Sequence, residues 1–225
     1  MTSVSTVGIR SPLRLGVLLS GGGRTLENFV SCIAAGSLPA EIAVVVSSHP
    51  EAFGVERARR RGLPCAVVDY RGAGAEFSQR IAAELDSARV DLVVMAGFIR
   101  RWEIPERYAG RVTNIHPALL PAFGGKGFYG DRVHRAVLAS GVRFSGCTVH
   151  YVDREYDHGP IILQRVVPVL PGDTEKTLAE RVFAEECIAY PEAVRSHGEG
   201  RLEVRGGKVL VREERILAHE GKERR

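Results

Sequence analysis

Asn114 and His116 stand two residues apart in the run NIHPALLPAF, residues 114–123. At the end of a strand, positions i and i+2 point to the same face. Pro117 and Pro121 follow, remove backbone N–H groups and are expected to hold the next stretch extended instead of helical. Downstream, REYDHGPIILQ places Asp157 just before a Gly-Pro pair, and His150 lies on the strand before it. A carboxylate beside an imidazole favours the charged ring. An amide donor and a charged imidazole together suit an oxygen that gains negative charge during a reaction. Taken as a pair, Asn114 and His116 also fit a satisfied structural role at a strand exit; Asp157 shifts the weight towards chemistry. No serine or cysteine nucleophile accompanies these groups, so direct attack by a substrate group is expected and not a covalent enzyme intermediate. A metal held by His116, His150 and Asp157 is the weaker option, because no H-x-H or H-E-x-x-H spacing supports it.

A second feature is LLSGGGRTL, residues 18–26. It is not a dinucleotide fingerprint, since G-x-G-x-x-G from Gly21 needs glycine where Leu26 stands, and the second strand ends in SSHP without an acid. Nor is GGKGFYG a P-loop, because Lys126 is followed by Gly127. What remains is a tight turn into a helix N-terminus, where free N–H groups and the helix dipole can hold a phosphate, with Arg24 and Thr25 as added donors. A plain strand-to-helix turn is the alternative.

These groups need a scaffold. LRLGVLL, EIAVVVSS, PCAVVD, DLVVMA and RVTNIH read as short buried strands, separated by the helical patterns TLENFVSCIAAG, FGVERARRRG and AEFSQRIAAELDSA. Alternating β and α of this kind predicts an α/β, Rossmann-like, mostly parallel sheet with helices on both faces. After residue 130 the order changes: a helix over GDRVHRAVLASG, then CTVHYVD and PIILQRVVPV as antiparallel strands of the same sheet. A long helix follows, capped by Asp173 or Thr174, and RLEVRGGKVLV reads as a hairpin about Gly206-Gly207. One domain over residues 1–225 is expected, with a charged tail from Glu213. Ligands of open α/β sheets bind at the carboxyl ends of the strands, so the glycine turn and the Asn–His pair should open on one edge.

Bulk composition narrows the partners. Of 225 residues, 44% are hydrophobic and 26% charged, which is ordinary globular usage. Lys plus Arg number 31 against 27 Asp plus Glu, a formal charge of +4 that suits a small anionic substrate. No basic stripe with interleaved aromatics points to nucleic acid. Cys32, Cys65, Cys147 and Cys187 are widely spaced, so neither a disulfide framework nor a zinc site is implied; Cys32, Cys65 and Cys187 read as small core residues. The N-terminal segment lacks the apolar stretch of a secretory signal, no run is long enough to span a membrane, and a cytoplasmic setting is expected.

Taken together, SGGGRTL, MAGFIRRW, NIHPALLP, CTVHYVDREYDHGPIILQ and EECIAYP resemble the glycinamide ribonucleotide formyltransferases of purine synthesis, in the same order and over roughly residues 13–204. The Asn-x-His-Pro-x-Leu-Leu-Pro block with a downstream Asp-x-Gly-Pro is shared more widely among folate-dependent formyltransferases. The resemblance implies 10-formyltetrahydrofolate as co-substrate, glycinamide ribonucleotide as acceptor, no metal, and a monomer or homodimer. It implies catalytic roles for Asn114, His116 and Asp157, with His150 in support. It places the phosphate loop on Gly23, Arg24 and Thr25, and a substrate-holding acid on Glu186. The folate pocket falls on Phe98, Ile99, Arg100, Arg101 and Trp102 and on Val152, Asp153 and the chain up to Asp157. The family usually has Ser-Asn where this chain has Arg24-Thr25, a polar or basic residue where it has Phe183, and a shorter loop than 122–131. The rival reading, implied by PAFGG and GVRFSGCTVHYV, is a 10-formyltetrahydrofolate hydrolase. Beyond it stand transfer to a different amine and a non-catalytic folate- or nucleotide-binding module.

Overall fold

The structure is a computed structural model that describes residues 4–5, 12–71 and 74–212. The segments on either side of Val4–Ser5 and the charged tail from Glu213, singled out above, lie outside the described residues. The main sheet contains β2 (Leu13–Leu19), β3 (Ala40–Ser47), β4 (Cys65–Val67), β5 (Leu92–Met95), β6 (Val112–His116), β7 (Phe144–Tyr151) and β8 (Ile161–Pro168). Their spatial order is β4-β3-β2-β5-β6-β7-β8. The first five are parallel, and β7 and β8 are antiparallel to their neighbours. The mixed α/β sheet expected from the sequence is thus the one observed. Strand order reverses direction between β2 and β5, which opens a crevice at their carboxyl ends.

The helices are α1 (Arg24–Ala34), α2 (Phe53–Arg60), α3 (Gly74–Ser87), α4 (Asp131–Ser140) and α5 (Glu175–Gly198). Two cores form because neighbouring strand residues face opposite ways. Leu15, Val17, Val45, Val94, Ile115 and Val149 pack beneath α1, α4 and α5. Leu18, Val44, Val46, Val93, Met95 and Val112 pack on the other side with Phe77 and Ile81 of α3 and with Trp102 and Tyr108. Asn114, His116 and His150 share the parity of Val112 and so belong to this second face.

Helix α5 is tied to the sheet at its centre. The Tyr190 hydroxyl lies 3.0 Å from the Thr113 carbonyl and 3.2 Å from the Met95 carbonyl, and its ring meets Phe29 of α1 edge-on at 5.1 Å. Thr174 is the cap: its side chain accepts from the Thr177 N–H and the Thr177 hydroxyl accepts from the Thr174 N–H, a reciprocal box. Asp173, the other candidate cap, instead pairs with Arg181, which holds its carboxyl well below the usual range.

Strand β7 is buried along nearly its whole length because both faces are covered. Two expectations change. Cys147 is the buried thiol, its pKa pushed up to about 12 by burial, while Cys32, Cys65 and Cys187 are only half-buried. The chain after His116 does not stay extended: it bends at once, contains a cis Leu120–Pro121 bond and turns with an Ala122 N–H to Leu119 carbonyl bond of 3.1 Å. The Thr148 hydroxyl holds this bend by donating to the Ala118 carbonyl at 2.7 Å and accepting from the Leu120 N–H at 3.0 Å.

The hairpin of β9 (Leu202–Arg205) and β10 (Lys208–Val211) forms as expected. With β1 (Val4–Ser5) on the far edge of β9, it makes a separate small sheet.

Gly159 sits where the β7–β8 connection doubles back. A Cβ there would lie 1.9 Å from the Tyr151 carbonyl oxygen, so the backbones are in contact at this point. Gly159→Ala should therefore lower stability by about 1–3 kcal/mol, read from denaturant unfolding. It should also disturb the turn that carries Asp157, visible as altered Asp157-side chemical shifts.

Candidate active site

Four side chains meet where β6 and β7 end. The antiparallel register sets Asn114 opposite His150 and His116 opposite Thr148. His150 is 1% exposed, and burial lowers its pKa, so the ring is neutral. Its Nδ1 donates to the Tyr151 carbonyl at 2.8 Å, which leaves Nε2 as an acceptor. Asn114 Nδ2 donates to that nitrogen at 3.2 Å, so the tautomer of His150 orients the amide. The second Asn114 hydrogen has only a long contact, 3.5 Å to Asp157 Oδ1.

Asp157 has φ 53°, the left-handed region, which turns its carboxylate back into the sheet end. Its Oδ2 accepts the Gly125 N–H at 2.9 Å and lies 3.5 Å from His116 Nδ1. His116 Nε2 donates to the Phe123 carbonyl at 2.8 Å. Both ring nitrogens thus face oxygen atoms. A Cβ at Gly124 would come within 2.4 Å of Leu120 Cδ2 and 3.2 Å of Asp157 Cβ, so the long loop folds closely over this pair. Asn114 and His116 are therefore on one face as expected, and the loop after β7 sets Asp157 beside both. His116, however, is a step behind Asp157.

A cavity of about 700 Å³ opens on this group. Asn114, His150 and Asp157 form part of its wall; His116 does not. Of the folate-pocket residues expected, Phe98, Arg100, Arg101, Trp102, Val152 and Asp153 line it. Ile99 does not: it is 48% exposed, and its N–H donates to the Ser20 hydroxyl at 3.1 Å, tying this segment to the glycine turn. Trp102 is held by its indole N–H to the Ser78 carbonyl at 3.2 Å, and Phe98 stacks parallel to Phe77. The Asp153 carboxylate organises the turn itself, accepting from the Glu155 N–H at 2.8 Å and meeting His158 Nδ1 at 2.7 Å. Several wall residues escape sequence reasoning: residues of the loop from Glu103 to Gly110, and, farthest along the chain, Leu202 and Val204 of the C-terminal hairpin.

The glycine turn lies apart from that cavity's lining. Gly23 has φ 72° and precedes α1, whose first turn has no side-chain cap. A Cβ at Gly23 would lie 2.7 Å from Gly54 Cα, so α2 packs directly on the turn. Arg24 leans across to α5, bonded to Glu180 through both Nη atoms at 2.9 and 2.6 Å, with its guanidinium 3.8 Å from the centre of the Phe183 ring. Thr25 is half-buried in the first turn. Glu186, further along α5, makes no hydrogen bond or ion pair among the described residues. Burial pushes its carboxyl up to about 7, against the opposing pull of the Arg24 charge.

His134 of α4 is a further buried group, with Nδ1 lacking a partner among the described residues and burial lowering its pKa. Among the described residues no cluster of three or more His, Cys, Asp or Glu is placed to hold a metal ion, and none of the helices is long and apolar enough to cross a membrane.

Comparison with known proteins places this geometry in context. Residues 13–194 match the formyl transferase family. The chain is 43% identical over 195 residues to the chloroplastic phosphoribosylglycinamide formyltransferase of Vigna unguiculata, covering 84% of this chain and 62% of that protein. It is 35% identical over 196 residues to the phosphoribosylglycinamide formyltransferase of Haemophilus influenzae, covering 85% of this chain and 90% of that one. The crystal structure of glycinamide ribonucleotide transformylase 1 from Symbiobacterium toebii superposes with a TM-score of 0.83 at 42% identity, covering 89% of this chain and 94% of that one. The chain thus spans under two thirds of the plant relative and nearly all of the bacterial ones. On a match that runs from the first main-sheet strand into the last helix, the chain belongs to the formyl transferase family.

Proposed function

We propose that the chain transfers the formyl group of 10-formyltetrahydrofolate to the amine of glycinamide ribonucleotide. The observation that carries this reading is the Asn114 amide, oriented by His150 and set beside the Asp157 carboxylate on the wall of a folate-sized cavity. Asn114, His116 and Asp157 are the catalytic set, and His150 supports it. The folate occupies the cavity, its walls formed by Phe98, Trp102 and Val152 with Arg100 and Arg101 at hand for its acidic tail. The ribonucleotide enters from the glycine turn, with its phosphate at Gly23, Arg24 and Thr25 and its ribose or amine end at Glu186.

In this scheme the acceptor amine forms a C–N bond to the formyl carbon, and negative charge develops on the formyl oxygen. One Asn114 hydrogen is committed to His150; the other is the donor available to that oxygen. Asp157 takes a proton from the attacking amine, directly or through water, and returns it to the folate nitrogen as the old C–N bond breaks. His116 supplies positive charge through Asp157. A direct bond from its Nε2 to the oxyanion requires release of the Phe123 carbonyl, hence movement of the loop at 122–125.

Three outcomes follow from mixing the protein with 10-formyltetrahydrofolate. Folate release that depends on glycinamide ribonucleotide is expected; release without it identifies a hydrolase, and no release a binding module. Asn114→Ala should keep the fold by circular dichroism yet lower kcat by roughly 10²–10³; near-normal turnover would remove the oxyanion role. Glu186 supplies a pH dependence. Its folded pKa of about 7 stands above the ordinary 4.5, so the neutral form is the one folding favours. Stability from this group is present below 4.5 and is lost as pH rises through about 7. Glu186→Gln should therefore raise the Tm of the ligand-free protein at pH 8 but not at pH 4.5. It should also raise the KM for the ribonucleotide and flatten its fall across pH 7.

A further inference from the structure

On α5, Glu180, Phe183 and Glu186 are spaced three apart and form a stripe along one side of the helix. The stripe runs beside the N-terminus of α1, and the Asn28 amide ties the two helices by donating to the Cys187 carbonyl at 2.9 Å. Arg24, the first residue of α1, lies across this stripe. Its guanidinium rests on the Phe183 ring at 3.8 Å, its two Nη atoms are taken by Glu180, and its charge acts on Glu186. The aromatic ring therefore sits between a carboxylate that is paired and one that is not.

We propose that Phe183 is the shelf that positions Arg24 for the anionic end of the substrate, and that Glu180 is a placeholder which a phosphate monoester displaces. This rests on the ribonucleotide reading given above. The two contacts hold different parts of the arginine. Phe183 takes a face of the planar guanidinium and can keep it while the edge changes partners. Glu180 takes the edge, and that edge is the part that binds a phosphate through two parallel bonds. Both members of the ion pair are about half exposed, with side-chain exposures of 48% and 55%, so the pair is weak and easily exchanged. A phosphate at the same place gains the guanidinium and the uncapped first turn of α1 together. A carboxylate left beside a dianion repels it, so Glu180 opposes binding and swings away when the phosphate arrives. Glu186, with no partner among the described residues, stays to meet the uncharged or cationic part of the ligand.

Phe183 thus stands in a role that a polar side chain meets by direct contact with the ligand. An aromatic ring cannot bond to the substrate's hydroxyls, but it can fix the cation that bonds to its phosphate.

The test uses the full chain and ribose 5-phosphate, whose binding is read by calorimetry without turnover. Glu180→Gln should bind it about two- to five-fold more tightly than the parent. Phe183→Leu should bind it about two- to five-fold more weakly, and Phe183→Tyr, which keeps the ring, should match the parent. In an Arg24→Ala background, Glu180→Gln should change binding less than two-fold, because the competition is for that arginine. The KM for the ribonucleotide should follow the same order, with the KM for the folate unmoved. Unchanged or weaker binding by Glu180→Gln overturns the proposal, as does a Glu180 effect that survives loss of Arg24 or a parent protein that does not bind ribose 5-phosphate. Should the variants keep this order while the parent transfers no formyl group to glycinamide ribonucleotide, the functional reading fails and the phosphate shelf stands.

Discussion

The antiparallel pairing of β7 on β6 is the constraint on which the site depends. Four parallel pairings build the sheet out to β6, and the chain then passes over α4 before it returns as β7. Reversal of β7 lays His150 opposite Asn114 and returns the chain, through the tight β7–β8 turn, to set Asp157 at the same edge. Register sets the Asn114 amide against the His150 ring, and the loop after β7 brings the Asp157 carboxylate to 3.5 Å from both Asn114 and His116. The close contact of Gly159 with the Tyr151 carbonyl and the left-handed Asp157 are the local costs of that reversal.

Burial divides the titratable groups of the region. It lowers His150 and raises Glu186, so each is driven towards its neutral form. For His150 neutrality is the useful state, since a ring protonated on Nε2 could not accept from Asn114. For Glu186 the Arg24 charge pulls the other way and tempers the shift. The same physical cause thus acts on a base and an acid in opposite directions.

Much of this was legible in the chain. The strands announce themselves as short apolar runs because both faces of the sheet are covered, and Asn114 and His116 stand out as polar groups in an apolar run, while Asp157 is marked by the Gly-Pro pair after it. What escaped depends on contacts that carry no local signal. The Phe123 carbonyl that holds His116 is a backbone atom, brought there by a turn that the prolines were expected to prevent. Arg24 and Glu180 are separated by 156 residues and meet only because α1 and α5 lie side by side on the sheet. Leu202 and Val204 alternate like any hairpin strand, and nothing in their spacing tells that they face a cavity.

That last wall has a consequence for how such a protein can diversify. The hairpin belongs to its own small sheet, and among the described residues no β-ladder joins it to the one that sets Asn114 against His150. A substitution at 202 or 204 acts on the cavity through packing and not through the strand register that sets Asn114 against His150. The contour of that wall is therefore free to drift under selection while the Asn114–His150 pair stays fixed, as an adjustable jaw moves against a fixed one.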